Sequence, residues 1–143
     1  MSVRVGITTL VACLAWCTAA SASSVQYNGP AGAGNGAGVE FGAKQVHSRP
    51  ALVRRFEFHN IPAACQGSAP TAVSGMLTIT MTVSSHRRFS GAQALNGGRY
   101  KVTVSGTFAR GYHKATGTIR VRGTVPGCAS ANTGTVEWSA PAV

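Results

Sequence analysis

Apolar and polar residues alternate one by one in six stretches of the chain, and no other feature constrains its fold as strongly. In the clearest case, residues 77–83, four apolar side chains alternate with three threonines. Successive side chains of a β-strand point to opposite faces of the sheet, so this pattern predicts strands with one buried and one solvent-exposed face. The six predicted strands cover residues 39–44, 55–59, 77–83, 100–105, 118–122 and 135–140.

The segments between these predicted strands are rich in glycine, proline and asparagine, which mark turns. A short seventh strand is expected around 25–27, and residues 23–143 show no helical periodicity. Many short strands separated by turns are typical of an antiparallel β-sandwich or a small barrel. We therefore predict an all-β fold of six to seven antiparallel strands, with Tyr100 and Trp138 on the buried faces.

The first 22 residues have the layout of a helical secretory signal peptide. Arg4 precedes a run of apolar and small residues, and residues 20–22 read Ala-Ser-Ala, an A-x-A cleavage pattern. The run is too short, and too diluted by threonine and glycine, for a typical membrane span. Lipid attachment at Cys17 is the other alternative, but Trp16 occupies a position where such sites normally have a small residue. We expect cleavage near Ala22 and secretion of the remaining chain, without a transmembrane span.

The expected secreted chain has two parts. Residues 23–38 combine the short strand with a glycine-rich tract, AGAGNGAG, which we interpret as a flexible connector. Residues 39–143 contain all six alternating stretches and form the predicted β-sandwich domain. A chain of this length can bury a sizeable core as one domain.

Secretion changes the interpretation of the cysteines. Cys13 and Cys17 would leave with the signal peptide, so Cys65 and Cys128 remain. Two cysteines in an oxidising compartment most simply form one disulfide. A metal-thiolate pair is the alternative, but neither cysteine belongs to a C-x-x-C motif.

Several short motifs of the second half resemble those of small secreted bacterial β-domains that have no assigned function. The corresponding residues are Gly106 and Phe108, then Lys114, Ala115 and Gly117, then Cys128 and Trp138, with 53–58 and Cys65 as the first-half counterpart. The resemblance covers about two thirds of the secreted chain. Its motifs are hairpin-building residues, so it implies the fold and the disulfide but no chemistry.

The chain is strongly basic. It has 13 lysine and arginine residues against three acidic residues, all glutamates, and its formal net charge is +10. Most of the cations are arginines, whose planar guanidinium favours forked contacts to phosphate, sulfate or carboxylate. The alternative is that the positive surface only keeps a secreted domain soluble.

Residues for a catalytic mechanism are scarce. Each glutamate lies at an outward position of a predicted strand, which favours cross-strand ion pairs over a paired-carboxylate hydrolase site. The glutamates are Glu40, Glu57 and Glu137, and the neighbouring cations are Lys44, Arg55, Arg120 and Arg122. A serine-histidine-aspartate triad lacks its aspartate, no G-x-S-x-G motif occurs, and a cysteine nucleophile would need a free thiol.

The four histidines, His47, His59, His86 and His113, lack the spacing of metal ligands. We interpret them as surface residues and expect neither a metal nor a cofactor. A secreted hydrolase or metal-dependent enzyme that uses histidine and glutamate remains the alternative function.

Two basic segments follow predicted strands and are expected to form turns. If both turns lie at one end of the fold, they form a basic cluster that Arg120 and Arg122 extend along a solvent-exposed strand face. The predicted cluster consists of His86, Arg87, Arg88, Arg110, Tyr112, His113, Lys114, Arg120 and Arg122, with Tyr112 exposed among the charges. We predict a non-catalytic binding or structural surface module whose partner is an anionic glycan, a cell-envelope polymer, a lipid surface or extracellular nucleic acid, but not intracellular nucleic acid. The alternative is that charged turns only solvate the sheet and discourage aggregation.

Overall fold

The structure is a computed structural model, and it describes residues 22–32 and 36–143. The predicted signal peptide therefore lies outside the described residues, except for Ala22. The described residues form ten β-strands: β1 (Ser23–Pro30), β2 (Gly38–Val46), β3 (Arg49–Cys65), β4 (Thr71–Leu77), β5 (Met81–Thr82), β6 (Arg88–Leu95), β7 (Tyr100–Phe108), β8 (Lys114–Val125), β9 (Cys128–Asn132) and β10 (Val136–Pro141).

All ten strands belong to one antiparallel sheet, ordered β1-β2-β3-β9-β8-β7-β6. Three strands lie off this path: β4 and β5 pair with β3, and β10 pairs with β8. The prediction of an all-β antiparallel fold is confirmed, and the described residues contain no helix. The predicted number of six to seven strands is wrong.

The extra strands arise where the alternation is weak or interrupted. Strand β3 covers 17 residues, although the pattern predicted a strand only over 55–59. It contains three bulges, one of which lies at Ala51, between Pro50 and Leu52. The other two, at Arg55 and Asn60, have positive φ angles, and each places two exposed residues in succession. Strands β6 and β9 were not predicted, because alanine, serine and glycine fill many of their positions.

The predicted strand over 77–83 is divided between β4 and β5. Both pair with β3. The pairing is interrupted between Leu77 and Met81, opposite the bulge at Arg55 in β3. The inward and outward alternation still continues through the interruption, from buried Leu77 to buried Met81. The pattern therefore predicted the burial correctly and the strand boundaries incorrectly.

The segment before residue 39 belongs to the same sheet. Strand β1 pairs with β2 from Ser23↔Gln45 to Pro30↔Gly38. Two isolated bridges, Tyr27↔Ala142 and Ala31↔Trp138, also connect it to the end of the chain. Residues on both sides of the glycine-rich tract are thus built into the fold.

Aromatic side chains from distant parts of the chain form the centre of the core. Phe41 stacks on Tyr27 and on Phe56, with ring centroids 5.1 and 5.3 Å apart. Its ring also meets Trp138 edge-on at 5.6 Å. The inward prediction for Trp138 and Tyr100 is confirmed. The remaining members of the cluster are Phe89 and Phe108, which contact each other at 5.3 Å.

Two glycines give these rings their space. Across β6, β7, β8 and β10 the paired residues are Phe89, Gly106, Gly117 and Trp138. A Cβ on Gly106 would collide with the Phe89 ring, and one on Gly117 would collide with the Ser105 carbonyl and the indole of Trp138. The rings therefore cover the two glycines, an arrangement that lets large side chains pack on a sheet without voids.

Cys65 and Cys128 form a disulfide, as predicted, with their Cα atoms 5.8 Å apart. It joins the end of β3 to the start of β9, two strands that pair with each other only at Ala64 and Cys65. The covalent bond thus reinforces the shortest ladder on the path through the sheet.

Candidate functional site

The two basic turns predicted from the sequence lie at the same end of the sheet. The first turn joins β5 to β6 and the second joins β7 to β8; Arg88 at the start of β6 pairs with Thr107 at the end of β7. A direct contact links the turns, because Arg87 Nε donates to the Phe108 carbonyl at 3.0 Å. The turn after the Thr-rich alternating stretch joins β5, which pairs with β3, to β6, which pairs with β7, so it is not the end of a paired hairpin. It is closed locally by hydrogen bonds from Arg87 N–H to Ser84 O at 2.9 Å and from Ser84 N–H to Arg88 O at 2.8 Å.

A third turn, which the sequence did not single out, lies beside these two. His47 and Ser48 connect β2 to β3, and both have positive φ, as in the two-residue hairpin turns that match strand twist. A concavity of about 230 Å³ is lined by residues of all three turns, including Arg49, Arg87 and Tyr112. The C-terminal residues also reach this end, where Ala142 N–H donates to His113 O at 2.9 Å.

We call this surface the basic end. It consists of His47, Arg49, His86, Arg87, Arg88, Arg110, His113 and Lys114. All except Arg87 are exposed, and the basic end contains no carboxylate side chain. Three of the four histidines of the chain lie here.

Two of the predicted site residues, Arg87 and Tyr112, are half-buried and contact the rest of the fold. The Arg87 side chain is half-buried and bonded to the Phe108 carbonyl. The prediction that Tyr112 is exposed among the charges is wrong: its side chain is half-buried against the core, edge-on to Phe108 at 6.3 Å. Its carbonyl accepts a 2.6 Å hydrogen bond from the Tyr27 hydroxyl. Burial raises the pKa of that hydroxyl.

Arg120 and Arg122 do not belong to the basic end. They point outward from β8, beyond Lys114, towards the opposite end of the strand. Arg122 pairs across strands with Lys101, and the two side chains point to the same face. We call Lys101, Arg120 and Arg122 the far cluster. The sequence showed that each residue faces outward, but only the strand register reveals that Lys101 adjoins Arg122.

The carboxylates lie on other surfaces. Glu40 and Glu57 are directly opposed on β2 and β3 and line a concavity of about 470 Å³ with Lys44, Arg54 and Arg55. Among residues 22–32 and 36–143 the one ion pair joins Arg55 and Glu57 at 3.6 Å. These two residues belong to the same strand, and within the described residues Glu40 and Glu137 form no ion pair, so the expected cross-strand pairing is wrong for all three glutamates.

The remaining candidates for enzymatic chemistry are dispersed. Glu137 pairs with Thr118 on the outer face of β10, and the ring of His59 lies over Gly38 on β2. The part of the chain that the structure describes contains no group of three histidine, cysteine or acidic residues able to hold a metal ion. Within the same residues no helix is long and apolar enough to cross a membrane.

No family model, curated protein or solved structure matches this chain significantly. The resemblance to secreted bacterial β-domains therefore stays a prediction. The site has to be interpreted from its own geometry and charge.

Proposed function

We propose that the protein is exported and acts outside the cell as a non-catalytic module that binds an anionic polymer through its basic end. Export is supported by the disulfide, since such bonds persist in oxidising compartments. The observation that carries the binding proposal is the convergence of three turns from distant parts of the chain. Together they place five lysine and arginine residues on one surface without a carboxylate side chain.

The chemistry of these groups suits sulfate, phosphate or carboxylate. Four of the five permanent cations are arginines, which offer two parallel N–H donors to such groups. Single exposed ion pairs contribute only about 0–1 kcal/mol each, so useful affinity requires several contacts at once. A polymer with repeated negative charges meets this condition, whereas a lone small anion does not.

We further infer that the strands form the two facing layers of a β-sandwich. Tyr27, Phe41 and Phe56 come from β1, β2 and β3, whereas Phe89 and Trp138 come from β6 and β10, and the two sets of rings pack against each other. A sandwich of this type presents its turns at its two ends. The rigid layers would hold the three basic turns in a fixed arrangement.

The proposal is tested by retention on immobilised heparin as a function of salt. Wild-type protein should elute at high salt, and the double variant Arg88→Gln with Arg110→Gln should elute earlier. Both side chains are exposed and, unlike Arg87, neither forms a side-chain hydrogen bond with any residue that the structure describes. Losing two anion contacts should reduce the slope of log affinity against log salt by about two.

A matched control removes the same charge elsewhere. Lys44→Gln with Arg54→Gln alters two cations on the outer face of β2 and β3, beside Glu40 and Glu57. It should leave retention almost unchanged. Equal weakening by both double variants would show that only net charge matters, and elution of the wild type without added salt would overturn the proposal.

A hydrolase that uses the paired glutamates is the second candidate. Two of the three carboxylate side chains in the chain are direct neighbours in one concavity, which is the observation in its favour. Against it, Glu57 already pairs with Arg55, and no histidine lines the concavity. Turnover of a polysaccharide that Glu40→Gln abolishes without loss of heparin retention would favour this candidate.

A further inference from the structure

We propose that the partner is a linear acidic polysaccharide that extends from the basic end along the outer face of β8 to the far cluster. This inference rests on the proposed function and specifies its ligand. It predicts a site with two charged regions that only a long polymer can contact together.

The geometry of β8 connects the two regions. Lys114, Arg120 and Arg122 are all exposed on one face of the strand. Every second residue between them points to the opposite face, towards the core. At about 3.3 Å per residue, Lys114 and Arg122 are roughly 26 Å apart. A short oligosaccharide cannot bridge this distance, but an extended polymer can.

The surface between the two regions is lined with hydroxyl groups. Thr116 and Thr118 follow Lys114 on β8, and their neighbours on β7 are Thr107 and Ser105. Ser105 and Thr118 share a 2.9 Å hydrogen bond, which leaves each oxygen able to form further bonds. Glu137 pairs with Thr118 from β10, so one carboxylate side chain borders this surface on the side away from β7. A sugar chain, whose own hydroxyls alternate with acidic groups, would therefore contact the β7 and β8 hydroxyls that lie between the two cationic regions.

The far cluster has a charge arrangement that an anion would relieve. Lys101 and Arg122 are directly opposed, and like charges in this position destabilise a sheet. Neither side chain forms an ion pair within the described residues. An acidic group bound between them would remove this repulsion.

The types of exposed side chain favour a polysaccharide over other polyanions. Single-stranded nucleic acid is usually held by exposed aromatic rings, and the aromatic side chains of residues 22–32 and 36–143 are all buried or half-buried. A membrane surface favours exposed apolar groups, but among the described residues the exposed large apolar side chains are only Val46 and Val143. These two valines expose too little apolar surface for insertion into a membrane.

The test compares a heparin tetrasaccharide with a heparin dodecasaccharide in titration calorimetry at fixed salt. Lys101→Gln with Arg122→Gln should weaken the dodecasaccharide about tenfold, because two charge-assisted contacts are lost, and leave the tetrasaccharide within about twofold. Arg88→Gln with Arg110→Gln should weaken both ligands. The pair Lys44→Gln with Arg54→Gln again controls for net charge, and thermal melts verify that each variant is folded.

The two proposals fail in different ways. If the wild type binds neither oligosaccharide, the proposed function is wrong. If both bind but the far-cluster variant binds the dodecasaccharide as tightly as the wild type does, the extended site is wrong and the basic end acts alone. Tighter binding to single-stranded DNA of matched length, or to phosphatidylglycerol vesicles, would overturn the assignment to a polysaccharide.

Discussion

Tyr27 illustrates how a single residue is fixed by contacts that no local pattern reveals. It is fully buried, stacks on Phe41 and meets Phe108 edge-on. Its hydroxyl donates to the carbonyl of Tyr112, 85 positions along the chain. A buried hydroxyl requires such a partner, so this one bond ties β1 to the turn between β7 and β8.

Replacing Tyr27 with phenylalanine should lower the free energy of unfolding by about 1 kcal/mol at neutral pH, because the bond to Tyr112 is lost. The difference from wild type should then narrow above about pH 10, where an unfolded tyrosine ionises. Burial raises the pKa of Tyr27 in the fold, so the folded state holds the proton longer and wild-type stability falls as pH rises past that point. Urea unfolding at pH 7 and pH 10.5 measures both effects. A constant difference at the two pH values would contradict this assignment.

At the scale of strands, the row Phe89, Gly106, Gly117 and Trp138 decides how β6, β7, β8 and β10 pack. Both glycines occupy inward positions that alternation predicts for an apolar side chain. The indole of Trp138 fills the space over Gly117 instead, and its buried N–H has no acceptor within the described residues. The Trp138 ring therefore stabilises the fold through apolar packing. Because the ring occupies the space over the glycines, neither glycine can be replaced by a larger residue.

We predict that Gly117→Ala prevents stable folding. The new Cβ would overlap the Ser105 carbonyl and the Trp138 ring. The backbones of Ser105 and Gly117 cannot move apart without disturbing the β7–β8 ladder. Gly67→Ala is the matched control: the same change meets no atom within 4 Å, and its positive φ of 79° costs about 1 kcal/mol. Circular dichroism melts of the two variants test this. A Gly117→Ala melt within a few degrees of wild type would contradict the packing described here.

At the scale of the whole molecule, the disulfide and the basic end lie at opposite ends. Strand β3 starts at Arg49 in the basic end and finishes at Cys65 in the disulfide. The covalent bond therefore stabilises the fold without forming part of the proposed binding surface.

Reducing the disulfide should lower the free energy of unfolding by about 4 kcal/mol, as estimated for a loop of 63 residues. Heparin retention should stay unchanged under conditions where the reduced protein remains folded. Cys65→Ala with Cys128→Ala should match the reduced wild type and be insensitive to reductant. Reduction that costs less than about 1 kcal/mol would show that the β3–β9 junction is held by its hydrogen bonds alone.

The arrangement of charge is also a property of the whole molecule. His86 and Arg110 were identifiable as turn residues, but His47, Arg49 and Lys101 became part of charged surfaces only through the strand register. Residues far apart in sequence meet where strands end together, and register depends on the side-chain packing of the complete sheet. Arg120 and Arg122, in contrast, lie apart from the turns because they come six and eight residues after Lys114 along β8.

The amino-acid sequence by itself determined the all-β class, the inward-facing residues and the cystine. The first two follow from alternation, which is a local pattern, and the cystine follows by elimination from the number of cysteines. Only the tertiary structure decided the ten-strand order, the three bulges in β3 and the burial of Tyr27 and Tyr112. Those features depend on which strand lies beside which, and that choice is made by the combined packing of rings from β1, β2, β3, β6, β7 and β10. No single stretch of sequence contains that information.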